Sequence, residues 1–194
     1  MKKKAQIRYT VSFLILAVLL LLLFIWNINA GSVHLSVKEI FDIIVKKTGE
    51  QTAYNIVWQI RLPRILAAIL LGGALSVSGF LLQTFFENPI AGPFVLGISS
   101  GAKMVVALTM IYYLGRAVNV TSYTLIIAAF IGSLISIGFI LLISKRIKHM
   151  ATLLVAGIMI GYICSAVTDF VVTFADDSDI VNLHGWSQGS FSGM

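Results

Sequence analysis

Ile65-Leu66-Ala67-Ala68-Ile69-Leu70-Leu71-Gly72-Gly73-Ala74-Leu75-Ser76-Val77-Ser78-Gly79-Phe80-Leu81-Leu82-Gln83 decides the kind of protein this is. The run carries no charged side chain. About 20 consecutive apolar residues in a helix cross the hydrocarbon core of a bilayer. Four further runs come near that length, at 11–28, 94–114, 123–144 and 151–174. Apolar residues make up 58% of the chain and charged ones 11%. A soluble domain carries about a quarter charged residues, so this chain has too little polar surface to cover a water-facing globule. The fold class expected is all-α, a polytopic transmembrane bundle of about five spanning helices in a single domain, 1–194.

Charge gives the orientation. The formal net charge of +6 gathers in Lys2, Lys3, Lys4 and Arg8, and in Lys145, Arg146 and Lys148. Basic clusters can mark nucleic-acid binding, but these flank long apolar runs, so membrane topology accounts for them and no nucleic-acid partner is expected. Both clusters belong on the cytoplasmic side. Four runs lie between them, and an even number of crossings agrees with that. Residues 29–64, 115–122 and the tail after Phe174 then lie outside, and 84–93 inside. The first run reads as a retained helix, because no small-x-small cleavage site sits close behind it.

Ser36 followed by Glu39 is a capping-box pair. Ile40, Phe41, Ile43 and Ile44 form an apolar face behind it, and Gly49 is a natural stop. A short helix over 36–48 lying at the outer membrane surface is predicted. Small residues at four-residue spacing, Ala68, Gly72 and Ser76, then Gly97 and Gly101, then Gly157, Gly161 and Ser165, predict close helix packing in lipid.

Some residues break the pattern. Arg61 and Arg64 flank Pro63 on the outer side, where basic residues are disfavoured. As two exposed guanidinium groups they suit the carboxylates of a partner, or lipid phosphates reached by snorkelling. Asn88-Pro89-Ile90-Ala91-Gly92-Pro93 cannot be continuous helix. It is either a re-entrant segment or a plain connecting turn. Gly97-Ile98-Ser99-Ser100-Gly101-Ala102-Lys103 lacks the Gly-Lys-Ser/Thr of a phosphate loop, so nucleotide binding is not expected there. Asp169 is an intramembrane acid near a helix end. Asp176, Asp177 and Asp179 read as a solvated outer loop. Cys164 is alone and reads as a buried thiol. His34, His149 and His184 fall in three separate segments, and no metal-ligand spacing or nucleophile-base arrangement stands out. No metal, no cofactor and no enzymatic activity are expected.

The stretch Trp58-Gln59-Ile60-Arg61-Leu62-Pro63-Arg64-Ile65-Leu66-Ala67-Ala68 resembles the start of the second helix in FecCD-type permeases, the transmembrane subunits of ABC importers for iron-siderophore, haem and cobalamin. The resemblance continues through Gly73–Gly79, Gln83, Glu87–Ala91 and Leu96–Ala102. Leu153–Gly157 resembles the start of the family's fifth helix, and Trp186–Ser190 its following outer segment. Several expectations follow from the resemblance alone. It implies a permease dimer in the bacterial inner membrane, its N-terminus cytoplasmic. Two cytoplasmic ATPase subunits would drive it, and an extracytoplasmic binding lipoprotein would deliver an iron-siderophore complex or a related large chelate, haem or cobalamin. Arg61 and Arg64 match arginines that dock the binding protein. Asn88, Pro89 and Ile90 match one cytoplasmic gate, and Lys145, Arg146 and Lys148 a second. Gly157, Met159, Ile160 and Gly161 match a wall of the pathway. The sequence corresponds to the family's N-terminal half, and that half is not expected to transport alone. Lys103 is a departure, since the family has a small or apolar residue there. Other readings are a secondary transporter or channel, which would need ionisable residues near mid-membrane, and a truncated membrane fragment without activity.

Overall fold

The computed structural model describes residues 2–31, 33, 35–114, 120–147 and 149–190. Among them the chain is helical, with no strand. It divides into two compact units, residues 1–73 and 74–190.

The first unit opens with α1, Lys2–Asn29. Its helix extends well past the apolar run that announced it. Leu19, Leu20, Leu21, Leu22 and Leu23 are all exposed in this chain, as expected of a helix whose surroundings are lipid. Next comes α2, Val37–Phe41, held by a complete capping box. The Ser36 hydroxyl accepts from the Glu39 N–H at 3.2 Å, and the Glu39 carboxylate accepts from the Ser36 N–H at 2.7 Å. The Ser36 N–H and, at 2.9 Å, the Ser36 hydroxyl both donate to the Glu39 carboxylate and lower its pKa below the ordinary value, the backbone bond contributing most. The surface helix expected over 36–48 is shorter and mixed. After Phe41 it widens into a π-helical turn, Asp42–Lys46, and it stops at Lys47 with φ 53°, before Gly49.

A second helix in this unit departs from its expected start. Helical backbone runs from Gln51 to Phe85 over 35 residues, not from Ile65. It consists of α3, Gln51–Asn55, a π-helical turn, Ile56–Arg61, and α4, Leu62–Phe85. Pro63 lies in the first turn of α4, where a missing N–H is tolerated, and the wider π turn precedes it. Val57 of this wider turn and Ile43 of the first one are fully buried, with 0% and 1% exposure. Trp58 Nε1 donates to the Ile43 carbonyl at 3.4 Å, tying the two π-helical turns together.

The second unit is a helical bundle. Non-helical residues 86–97 lead into α5, Ile98–Leu114. Two long apolar helices follow, α6, Ser122–Ser144, and α7, Met150–Val172. The bundle closes with α8, Asp177–Gln188. Among the described residues four helices are long and apolar enough to cross a membrane, and α5 is a shorter apolar one. The run expected from 94 is helical only from Ile98, because Pro93 and a left-handed Gly97, φ +70°, end the preceding turn there. The acidic tail is a correction too. Asp176, Asp177 and Asp179 are not a solvated loop. Asp176 is the N-cap of α8, the other two lie in its first turn, and Asp179 is buried at 7% exposure. Acidic side chains there complement the partial positive charge of a helix N-terminus.

Glycine sets how closely the bundle packs. A Cβ on Gly97 would stand 2.7 Å from the Gly161 Cα. One on Gly157 would stand 2.9 Å from Leu96 Cδ2. One on Gly101 would overlap Ser136 Oγ and lie 2.8 Å from the Gly132 carbonyl oxygen. Backbones at this distance gain dispersion contacts that larger residues would forbid, and in lipid such contacts are a main source of helix association.

Candidate functional site

Arg61 ends the π-helical turn of the first unit, and it is not exposed. It is 7% accessible. Its Nη1 donates to the Ile28 carbonyl at 2.6 Å, and its Nη2 to the Val33 carbonyl at 2.5 Å. Ile28 is in the last turn of α1, where carbonyls lack helical partners. The guanidinium therefore caps α1 and fixes the chain that leaves it. Gly31 lets it approach, since a Cβ there would fall 2.7 Å from Nη2. The expectation of two exposed guanidinium groups is corrected for Arg61. Arg64, one turn on in α4, is half-buried.

The segment around Asn88 is shaped by its own polar groups. The Asn88 side-chain oxygen accepts from the Ile90 N–H at 3.0 Å, and Gln83 Nε2 donates to the Pro89 carbonyl at 3.0 Å. Glu87 has a positive φ of 49°. Ile90 and Phe94 project outward at 68% and 77% exposure, while Ala91 and Leu96 are buried.

The depth of this segment is the least obvious feature of the bundle. Leu96 and Gly97 meet Gly157 and Gly161, which lie roughly 10 and 16 Å along α7 from Met150 at 1.5 Å per residue. Residues 86–97 thus pass alongside the first half of a membrane-length helix as non-helical backbone. Phe86, Ala91 and Leu96 form one buried cluster with Ile140, Leu153 and Leu154. Such backbone is stable at membrane depth where protein covers it or an aqueous space adjoins it.

The structure brings the two expected gate segments together. Ile143 and Ile147, which bracket Lys145 and Arg146, pack on the cluster that contains Phe86 and Ala91. Lys145 and Arg146 are exposed in the turn after α6. Lys148 lies outside the described residues. The expected pathway residues separate. Gly157 and Gly161 are buried in the seam with Leu96 and Gly97, so they pack helices and do not face open space. Ile160 is partly buried against the same cluster, and Met159 is exposed at 52%. Ala68, Gly72 and Ser76 are exposed, and a Cβ at Gly72 would meet nothing within 4 Å. Sequence reasoning missed Ser136, 1% exposed at the centre of the α5–α6 seam. Its four-residue spacing from Gly132 was the signal available. Among the described residues no group of His, Cys, Asp or Glu could hold a metal ion.

Residues 19–194 match the model of the FecCD transport family. A Shigella boydii protein named vitamin B12 import system permease protein BtuC is 36% identical over 192 residues, 98% of this chain and 56% of that protein. A Klebsiella pneumoniae protein of the same name is 44% identical over 140 residues, 71% of this chain and 41% of that one. A solved structure described as an inward-facing conformation of a metal-chelate type ABC transporter superposes with a TM-score of 0.74 at 24% identity, covering 91% of this chain and 52% of that chain. The chain spans about half the length of the relatives it matches.

Proposed function

The chain belongs to the FecCD transport family, and from that membership we propose that it forms part of the membrane permease of a binding-protein-dependent ABC importer. In this reading it is a multi-pass protein of the bacterial inner membrane with a cytoplasmic N-terminus. It supplies pathway, gates and docking surface, and no bond chemistry. Cytoplasmic ATPase subunits drive alternating access by shifting the populations of outward- and inward-open states. A second permease subunit completes the pathway, and an extracytoplasmic binding lipoprotein delivers the cargo.

The cargo is a large metal chelate. Relatives named for vitamin B12 support a corrinoid, and the iron-siderophore and haem complexes are its competitors. Arg64 presents charge to acidic residues of the binding protein, and Arg61 holds the backbone beneath it. Asn88, Pro89 and Ile90 act with Lys145, Arg146 and Lys148 as the cytoplasmic gate. The support for this pairing is the shared apolar cluster under both segments. Met159 and Ile160 are carried forward as pathway residues, and Gly157 and Gly161 as the packing that positions them.

The family match over residues 19–194 carries this reading. Pull-down of the chain from its native membrane with mass spectrometry tests it. Recovery with an ATPase and a binding lipoprotein is expected. Recovery with neither, or uptake that survives loss of the ATPase, sinks it in favour of a secondary carrier or an inactive fragment. Competition between labelled cobalamin and ferric siderophore for uptake then separates the cargoes.

A further inference from the structure

Gln83 lies in the last turn of α4 and makes two bonds to the segment that follows it. Its main-chain carbonyl accepts from the Asn88 N–H at 3.1 Å, and its side-chain Nε2 donates to the Pro89 carbonyl at 3.0 Å.

The stop of α4 is ordinary in its backbone and unusual in its side chains. The Glu87 N–H reaches back to the Thr84 carbonyl at 3.3 Å and the Asn88 N–H to that of Gln83, with Glu87 left-handed at φ 49°. This is the Schellman arrangement. Glycine usually takes its left-handed place, and an apolar pair commonly links a residue of the last turn to the second one beyond the end. Here that pair is Gln83 and Asn88. Both are polar, and each spends its side chain on the turn beyond. The Asn88 side-chain oxygen accepts from the Ile90 N–H at 3.0 Å, and the Asn88 carbonyl from the Ala91 N–H at 3.1 Å. Asn88-Pro89-Ile90-Ala91 is thereby a tight turn with proline in its second place. Proline has no N–H to give. The carbonyl is the one main-chain handle on Pro89, and Gln83 holds it. The far side of the turn is anchored differently, since Phe86 and Ala91 are buried with Ile140 of α6 and with Leu153 and Leu154 of α7. Apolar contact has no direction and sets how deep the segment sits. Hydrogen bonds are directional and set how it is turned.

We propose that Gln83 is a positioning residue for the cytoplasmic gate, a latch that locks the Asn88-Pro89-Ile90 turn to the last turn of α4, so that the gate segment turns with α4. The gate role rests on the importer reading. The latch does not, because every bond in it lies within residues 83–91.

Amide exchange on the full chain in membranes tests the latch without any cargo. Gln83→Glu keeps the size and loses the donor, Gln83→Leu loses all polarity, and Gln83→Lys keeps a donor in another shape. Loss of one neutral hydrogen bond is expected to speed exchange at residues 88, 90 and 91 about fivefold in Gln83→Glu and Gln83→Leu, with Gln83→Lys near wild type. Exchange in Gln83→Glu as slow as in wild type, or in Gln83→Lys as fast as in Gln83→Leu, overturns the latch. If Gln83→Glu fails to fold, the Lys and Leu chains make the same comparison. The gate role has its own readout, one that a loosened turn alone would not move. Uptake is measured per chain in the membrane, with labelled cobalamin or ferric siderophore, whichever wild-type cells take up. Gln83→Glu is expected to lose maximal rate at an unchanged half-saturating concentration, and Gln83→Lys to restore it. Exchange that quickens while uptake stays the same overturns the gate role. Wild-type membranes that yield no ATPase in the pull-down remove the importer reading, and the exchange comparison still decides the latch.

Discussion

Arg61 spends both terminal nitrogens on main-chain carbonyls, those of Ile28 and Val33, and is buried while doing so. A guanidinium so engaged is a strut joining the end of α1 to the start of α4.

Removing the strut should therefore cost folding stability. Arg61→Ala strands two carbonyls that had charge-assisted partners, a loss of about 3 kcal/mol in total. Arg61→Lys keeps the charge but not the planar fork, and is expected to recover only part of it. Gly31→Val should act in the same direction by pushing the guanidinium away. The readout is the heat-induced aggregation midpoint of detergent-solubilised chain. An unchanged midpoint for Arg61→Ala would show that the two bonds are not sustained.

Arg64 should behave differently. Arg64→Glu is expected to weaken capture of the binding protein most at low salt, where charge attraction is least screened. Equal capture by wild type and Arg64→Glu at low ionic strength would remove Arg64 from the docking surface.

Glycines in the bundle should be unequal. Gly101→Ala and Gly132→Ala force a methyl into the α5–α6 seam, and overpacking of this kind costs about 1–3 kcal/mol. Gly72→Ala meets nothing and should be neutral, or slightly stabilising through helix propensity, by up to about 1 kcal/mol. The same midpoint ranks the three. A Gly101→Ala chain as stable as Gly72→Ala would mean the seam is looser than the structure has it.

The capping box of α2 should titrate. Hydrogen bonds from Ser36 lower the Glu39 pKa from its ordinary 4.5. A depressed carboxylate pKa means the ionised form is favoured by the folded helix. Its contribution is therefore fully present above the ordinary value and is lost as pH falls through the lowered one. Amide-exchange protection of residues 37–41 should drop on acidification in that window. Glu39→Gln should show lower protection at neutral pH and no such drop. A pH-independent wild type would contradict the bond.

Much of the fold was legible because lipid imposes simple rules on sequence. Long uncharged runs gave α1, α4, α6 and α7, and the Ser36–Glu39 spacing gave the cap of α2. Small residues at four-residue spacing pointed to Gly97, Gly101 and Gly161, which lie in the seams, but not to Ser136, which Gly101 meets. What escaped was long-range. Nothing near Arg61 in sequence announces carbonyls 33 and 28 residues earlier. The acidic tail looked solvated because charge density was weighed without its position at a helix N-terminus. The short start of α5 was hidden because apolar residues such as Phe94, Val95 and Leu96 continue through backbone that is not helical. Hydropathy counts side chains and cannot see which amides are paired.

That shortened helix bears on how the protein is made. Residues 86–97 are irregular backbone paired through local turns and side chains in place of a regular helical ladder, and hydrocarbon accepts such backbone only under protein cover. Leaving the insertion machinery one segment at a time, α5 with its irregular approach would be a poor passenger by itself. It becomes acceptable once Gly157 and Gly161 arrive to receive Leu96 and Gly97. The later helix is a condition for the earlier one, so biogenesis of this bundle runs partly against the order of translation, with α5 settling only after α7 has entered the membrane.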